Sequence, residues 1–261
     1  MPRYLGQHFL KNKTILSKIA QAVEIKNGEI IVEIGPGHGE LTEEIIKFAE
    51  GKDVKIIVIE KDGRLIDGLK EKFSGDKNIE IIYGDVLEIL PILHTKYQIQ
   101  NTKYKLVGNI PYYITGHLLR IIGELKIKPI KTILLIQKEV AQRICAKAPD
   151  SSLLSMSVGF WAEPKIIISV ESGNFAPSPE VESAVLELDL KDDVNWNNAD
   201  KYYSFIKKAF KQPRKTLVNN LIFGGYNKDT IASVFKEHSL NKNIRPQDMT
   251  QQDAYQISLL F

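Results

Sequence analysis

Asn109-Ile110-Pro111-Tyr112 is the stretch of this chain best suited to chemistry. The residues from Tyr104 to Gly108 read as a buried strand, and Pro111 stiffens the turn that follows by fixing its own φ and pushing Ile110 towards an extended conformation. A stiff turn at a strand's carboxyl end is where open α/β sheets place ligand-contacting groups. This one offers an amide side chain, a backbone carbonyl outside any helix and an aromatic ring. Asn109 and the Ile110 carbonyl can accept the two N–H bonds of an exocyclic amine while a ring stacks on the base, which suits transfer of a group onto that nitrogen. Taken alone, the same residues also describe an ordinary Asn-Pro turn with two core tyrosines.

Three more strand ends carry matching signals. Gly35-Pro36-Gly37-His38-Gly39 follows the strand Ile30–Ile34 and opens a helix, so backbone can approach a ligand without a Cβ clash. A dinucleotide fingerprint needs a third small residue where Glu40 stands, which argues against the pyrophosphate seat of a NAD enzyme. The loop remains compatible with a ligand lacking phosphates, such as S-adenosylmethionine. Glu60, closing the strand from Val54 to Ile59, can accept from both hydroxyls of a ribose. Asp85, just past the strand Ile79–Tyr83, can accept from an adenine amino group. A glycine loop by itself is a weak signal, and a strand-ending acid is often only a helix N-cap. Their coincidence on consecutive strands, with Asn109 on the fourth, points to a methyltransferase.

Holding these groups requires a sheet. After an irregular arm over residues 1–11, apolar Ile15, Leu16, Ile19, Ala20 and Val23 recur at helical spacing. Further helices are expected from Leu41 to Ala49, Leu65 to Phe73, Gly116 to Leu125 and Glu139 to Ala146, and further strands over Thr132–Ile136, Ile166–Val170 and Val185–Leu190. His94–Lys103 and Ala148–Ser152 read as loops. Strands alternating with helices over about 190 residues imply βαβ units and a mainly parallel sheet. Beyond Asp192, Asn195-Trp196-Asn197-Asn198 is linker-like and helical periodicity takes over, so a domain of residues 1–190 and a smaller one of 191–261 are expected.

Among the 261 residues, 43% are hydrophobic and 26% charged, ordinary values for a globular chain, and the apolar runs are too short for a membrane helix. The amino terminus lacks the apolar core of a signal peptide, and a single cysteine, Cys145, excludes an internal disulfide or a multi-cysteine metal site. A reduced, cytoplasmic, soluble protein without a metal is expected. Charge is uneven: from Lys191 onward lie 11 of the 35 basic but only 7 of the 32 acidic residues. Lys207, Lys208, Lys211, Arg214 and Lys215 cluster there, interleaved with Phe205 and Phe210. Such a cluster fits either phosphate contact or a solvated helix face.

Together the motifs resemble those of the ribosomal RNA adenine N6-dimethyltransferases. The matching residues are Gly6-Gln7-His8-Phe9-Leu10, Val32-Glu33-Ile34-Gly35-Pro36-Gly37-His38-Gly39, Ile59-Glu60, Gly84-Asp85, Asn109-Ile110-Pro111-Tyr112, Gln137-Lys138-Glu139-Val140-Ala141 and the run from Phe175-Ala176-Pro177 to Val185. Arg214-Lys215-Thr216-Leu217-Val218-Asn219-Asn220-Leu221 and Arg245-Pro246 are similar to the KsgA branch, which acts on small-subunit 16S rRNA, rather than to the macrolide-resistance Erm branch. Three departures touch RNA contacts rather than chemistry: Ser151-Ser152 before an expected strand at Leu153-Leu154-Ser155, Val158-Gly159-Phe160-Trp161 after it, and Pro213.

The resemblance implies an α/β fold, a Rossmann-like S-adenosylmethionine-dependent methyltransferase sheet with a small all-α C-terminal domain for RNA recognition. It implies dimethylation of N6 on two adjacent adenosines of 16S rRNA in a partly assembled small subunit, by a monomer that needs no membrane. The catalytic set would be Asn109, Ile110, Pro111 and Tyr112, with Phe175 covering the far face of a flipped-out adenine. The cofactor set would be His8 and Leu10 in a closing arm, with Gly35, Gly37, Glu60, Asp85 and Asn109. Lys207, Lys208, Lys211, Arg214 and Lys215 would meet RNA. Two alternatives stand beside this: an Erm-type enzyme of large-subunit rRNA, and a non-catalytic RNA-binding paralogue, whose expected mark is a broken Asn-Ile-Pro-Tyr turn.

Overall fold

A computed structural model describes residues 8–96 and 103–261. In chain order the elements are β1 (Phe9–Leu10), α1 (Lys13–Ala22), β2 (Ile30–Ile34), α2 (Glu40–Ala49), β3 (Lys55–Glu60), α3 (Gly63–Lys72), β4 (Ile79–Tyr83), α4 (Val86–Ile89) and α5 (Leu93–Lys96). There follow β5 (Tyr104–Asn109), α6 (Thr115–Glu124), β6 (Lys131–Gln137), α7 (Lys138–Cys145), α8 (Leu153–Gly159), β7 (Ala162–Val170), β8 (Phe175–Ala176) and β9 (Ser183–Leu190). Helices α9 (Ala199–Ala209), α10 (Leu217–Phe223), α11 (Lys228–Glu237) and α12 (Gln251–Ser258) complete the chain.

Seven strands form one sheet in the order β4-β3-β2-β5-β6-β9-β7. From β4 through β6 the neighbours are parallel, and β9 returns antiparallel to β6. The sequence dictates this arrangement, because every residue of β2 is buried, as a strand covered on both faces requires. Strand order reverses between β2 and β5, so the crevice beyond their carboxyl ends is where this topology seats ligands.

Several polar groups lie buried in the core, and Glu33 is the carboxyl most strongly affected. Glu33 in β2 is wholly buried, and burial pushes its carboxyl up to about 8 despite the hydrogen bond its Oε2 accepts from Thr42 Oγ1 at 2.7 Å. Its Oε1 has no hydrogen-bond partner among the described residues. A carboxyl raised in this way binds a proton more tightly folded than unfolded, so its contribution to stability is complete below pH ~4.5 and declines as pH rises towards ~8. Glu33→Gln, which cannot titrate, is expected to flatten that decline. Urea melts of both proteins at pH 5 and pH 8 check this, and an equal loss in both would refute it.

Residues 8–11 are not the irregular arm expected. Strand β1 pairs antiparallel with β8, Leu10 opposite Phe175, and Lys11 N–H donates to the Asn174 carbonyl at 2.8 Å. Asn12 then caps α1 by accepting from the Thr14 and Ile15 amides. Gly6 and Gln7 lie outside the described residues, as does most of the expected 94–103 loop, whose first residues close α5.

The chain divides into two compact units, one of Met1–Ala141 with Glu163–Leu190 and the other of Gln142–Ala162 with Lys191–Phe261. Residues 142–162 thus group with the helical tail, whereas the sequence pattern implies a single boundary near 190. Side chains explain the grouping within the second unit: Tyr202 Oη donates to the Met156 carbonyl at 3.0 Å, and Ser151 Oγ to that of Met249 at 2.9 Å. The strand expected at Leu153-Leu154-Ser155 is helix α8 instead. Ser152 accepts the Ser155 amide while Ser155 Oγ accepts the Ser152 amide, a reciprocal cap that starts a helix.

Candidate active site

Parallel pairing sets Ile34 opposite Gly108, so Gly35 and Asn109 emerge from neighbouring strand ends together. A Cβ built on Gly35 would lie 3.4 Å from the Asn109 carbonyl. Asn109 Nδ2 donates to the His8 carbonyl at 2.9 Å, which settles which end of the amide is the nitrogen. Its Oδ1 accepts no hydrogen bond from the described residues, and neither does the Ile110 carbonyl. Pro111 holds φ −57° and ψ 134°, and its carbonyl accepts the Ile114 amide at 3.1 Å to close a 3-10 turn over Tyr112–Ile114. Tyr112 Oη is bound to Ser183 Oγ at 2.8 Å. His8 Nδ1 donates to the Pro177 carbonyl at 2.8 Å, and its ring stands 6.0 Å from that of Tyr112 at an interplanar angle of 22°.

On the other side of the corner, Gly35 and Gly37 have φ of +64° and +62°, and a Cβ on Gly37 would come within 2.7 Å of the Phe9 ring. Only glycine fits there without strain. Glu60 is buried, and its Oε1 and Oε2 accept the Asp62 and Gly37 amides at 2.7 and 3.2 Å. Burial pushes the Glu60 carboxyl up, with these backbone bonds opposing. Each oxygen keeps a lone pair for a further donor. Asp85 caps α4 through the Leu87 amide at 2.9 Å and takes Lys61 Nζ at 2.6 Å. Partial burial pushes its carboxyl up, but the Lys61 and Leu87 bonds outweigh that and hold it below the usual aspartate range.

These groups line a cleft that opens to solvent. It brings together His8, Gly35, Gly37, Glu60, Asp85, Asn109, Ile110, Pro111 and Tyr112 from five separate segments. Two expected residues are not there. Leu10 and Phe175 are 3% and 6% exposed, packed in the hydrophobic core, because their antiparallel register turns both inward. Phe175 thus packs away from the cleft, and the ring facing Tyr112 is His8. Sequence reasoning missed Phe9, Lys61 and Tyr113, all of which line the cleft. Lys61 was within reach: Glu60 pairs with Tyr83, so the residues just beyond each strand must meet.

Glu40 settles its own question. Its carboxylate turns to Lys11 Nζ at 2.6 Å, a charge pair standing where a phosphate-binding fold keeps a small residue. A glycine cradle that a Cβ would fill, a buried carboxylate with spare acceptor capacity, and this acid in place of a pyrophosphate seat together fit S-adenosylmethionine.

The sequence profile of the family described as "Ribosomal RNA adenine dimethylase" matches residues 2–261. The chain belongs to that family. Its methyl donor is S-adenosylmethionine. Relatives called "Ribosomal RNA small subunit methyltransferase A" include one from Dehalococcoides mccartyi, 36% identical over 98% of this chain and 86% of its own length. Another, from Mycoplasma mobile, is 37% identical over 94% of this chain and 92% of its own. Among solved structures, a dimethyladenosine transferase from Plasmodium falciparum superposes with a TM-score of 0.80 at 25% identity, covering 97% of this chain and 96% of that one. The 23S rRNA methyltransferase ErmE shares the fold, with a TM-score of 0.73 at 21% identity over 97% of this chain and 98% of its own. The dimethylase sheet is the Rossmann-like methyltransferase fold, and its substrate class is ribosomal RNA. No helix among the described residues is long and apolar enough to cross a membrane.

Proposed function

We propose that this protein methylates N6 of two adjacent adenosines of small-subunit 16S rRNA, twice each, on a partly assembled small subunit. The observation that carries this reading is the Asn109 amide: its nitrogen is spent on the His8 carbonyl, which leaves Oδ1 as an acceptor beside the Ile110 carbonyl. Two acceptors at one corner match the two N–H bonds of an adenine amine. The relatives named for the small ribosomal subunit support 16S over large-subunit RNA.

S-adenosylmethionine, when bound, supplies an electrophilic methyl group on a sulfonium. What the chain must do is make a poor nucleophile attack. The N6 lone pair is delocalised into the purine ring. Accepting both N–H bonds draws the nitrogen towards tetrahedral geometry and aims the lone pair, by positioning and electrostatics rather than by a base; as the N–C bond forms, the S–C bond breaks with its pair staying on sulfur, and the surplus proton on nitrogen leaves to solvent. Tyr112 stacks on the extruded adenine, and the Ser183 hydroxyl holds its ring in place. With the cofactor bound, Glu60, already oriented by two amides, would accept from its ribose, and Asp85 from its adenine. Gly35 and Gly37 let backbone approach it, and His8 closes the arm over it. A monomethylated amine has one N–H fewer, so the second transfer leaves one of the two acceptors unpaired.

Recognition of RNA falls to the helical unit, through Lys207, Lys208, Lys211, Arg214 and Lys215. None of the five is ion-paired among the described residues. A cytoplasmic, monomeric enzyme belongs to the same proposal. Mass spectrometry of small-subunit RNA from cells lacking the protein tests it: loss of two neighbouring dimethyladenosines, restored by the wild-type gene, is expected. Loss of a large-subunit modification instead would move the substrate to the other particle.

A further inference from the structure

Phe205 and Phe210, the rings interleaved with the basic cluster in sequence, are both buried, at 0% and 7% exposure. A different ring surfaces. Phe223, the last residue of α10, is 58% exposed, among the most exposed large apolar side chains described. Lys211 Nζ stands over it, 5.2 Å from the ring centroid, and no other ring lies against it among the described residues. Three residues before Lys211, Lys208 Nζ sits 4.1 Å over the Tyr226 ring. Gly224, between the two rings, abuts the Lys208 side chain, where a Cβ would come within 2.8 Å.

A solvent-facing phenylalanine offers a flat π face, and Lys211 above it, without an acid partner among the described residues, favours a planar ligand that also carries negative charge. Duplex RNA presents phosphates but no free base face to a flat ring. An unpaired segment presents both. We infer that Phe223 with Lys211 is a seat for one unpaired RNA base, with Lys207, Lys208 and Lys215 holding the flanking phosphates. The inference rests on the RNA-recognition reading of this unit and deepens it. It states that the cluster reads a loop or single strand rather than a helix.

The test uses the full chain and two fluorescent probes, a ten-nucleotide single-stranded RNA and a blunt ten-base-pair RNA duplex without a loop. Phe223→Ala is expected to weaken single-strand binding roughly 5- to 100-fold with the salt dependence unchanged. Phe223→Trp should restore affinity and Phe223→Leu should not, since stacking needs a π face. Lys207→Ala with Lys215→Ala should instead reduce the slope of log K against log salt by about 1.4, or ~0.7 for each phosphate no longer neutralised. Unchanged affinity in Phe223→Ala, an equal loss on the duplex, or full rescue by leucine would each overturn the inference. Wild-type methyl transfer to small-subunit particles is measured alongside. Its absence would sink the proposed function, whereas the oligonucleotide result stands or falls by itself.

Discussion

Asn109→Ala is expected to lower methyl transfer by roughly 100-fold or more while cofactor affinity stays nearly unchanged. The alanine removes the acceptor that aims the amine and leaves the Ile110 carbonyl to hold one N–H alone. It also frees the His8 carbonyl, which is partly open to solvent and can take water, at a cost of about 1 kcal/mol. Single-turnover transfer of labelled methyl groups to small-subunit particles measures the first effect, and calorimetric titration of S-adenosylmethionine the second. Asn109→Asp separates the two jobs of the side chain. It keeps an acceptor for the amine but sets a carboxylate against the His8 carbonyl at 2.9 Å, so the arm should loosen as well as the chemistry. If alanine abolished cofactor binding and transfer in proportion, Asn109 would be a cofactor ligand and not the residue that grips the amine.

How much of this was legible in the chain depended on whether the signal was local. Strand β2 and the glycine loop announce themselves, because a nearly all-apolar run and closely spaced glycines leave few alternatives. Placing Gly35 beside Asn109, by contrast, needs the strand order, which reverses between β2 and β5 and is written nowhere in one segment. Phe175 shows the limit most clearly. Its motif fixes a Pro-rich turn, but whether the ring faces the cleft or the core is decided by pairing with β1, some 165 residues earlier. Leu10 turns inward for the same reason. At Leu153-Leu154-Ser155 the resemblance implies a strand, and the reciprocal cap between Ser152 and Ser155 starts a helix there instead. Phe223 escaped notice because exposure, not residue type, is its signal.

Asn220 carries the second large effect, and here the prediction concerns rigidity. An asparagine in a helix interior is locally unfavourable, yet Asn220 is fully buried in α10. Its Oδ1 accepts the Gln212 amide at 2.7 Å, and its Nδ2 reaches the carbonyls of Gln212, Lys215 and Thr216 at 3.0, 3.3 and 3.1 Å. One side chain thus clamps the loop from Lys211 to Lys215, whose three cations would otherwise repel one another apart. Asn220→Ala would strand several buried backbone groups, and a loss of about 2–4 kcal/mol is expected, seen as a fall in Tm on the order of 5–10 °C. Asn220→Asp keeps only the acceptor and buries a charge, so it should be worse. RNA affinity in Asn220→Ala should fall even at temperatures where the protein is folded, because the lysines and arginine must then be ordered at the moment of binding. A variant that melted lower yet bound RNA as tightly as wild type would mean that the charges act by their number and not by their arrangement.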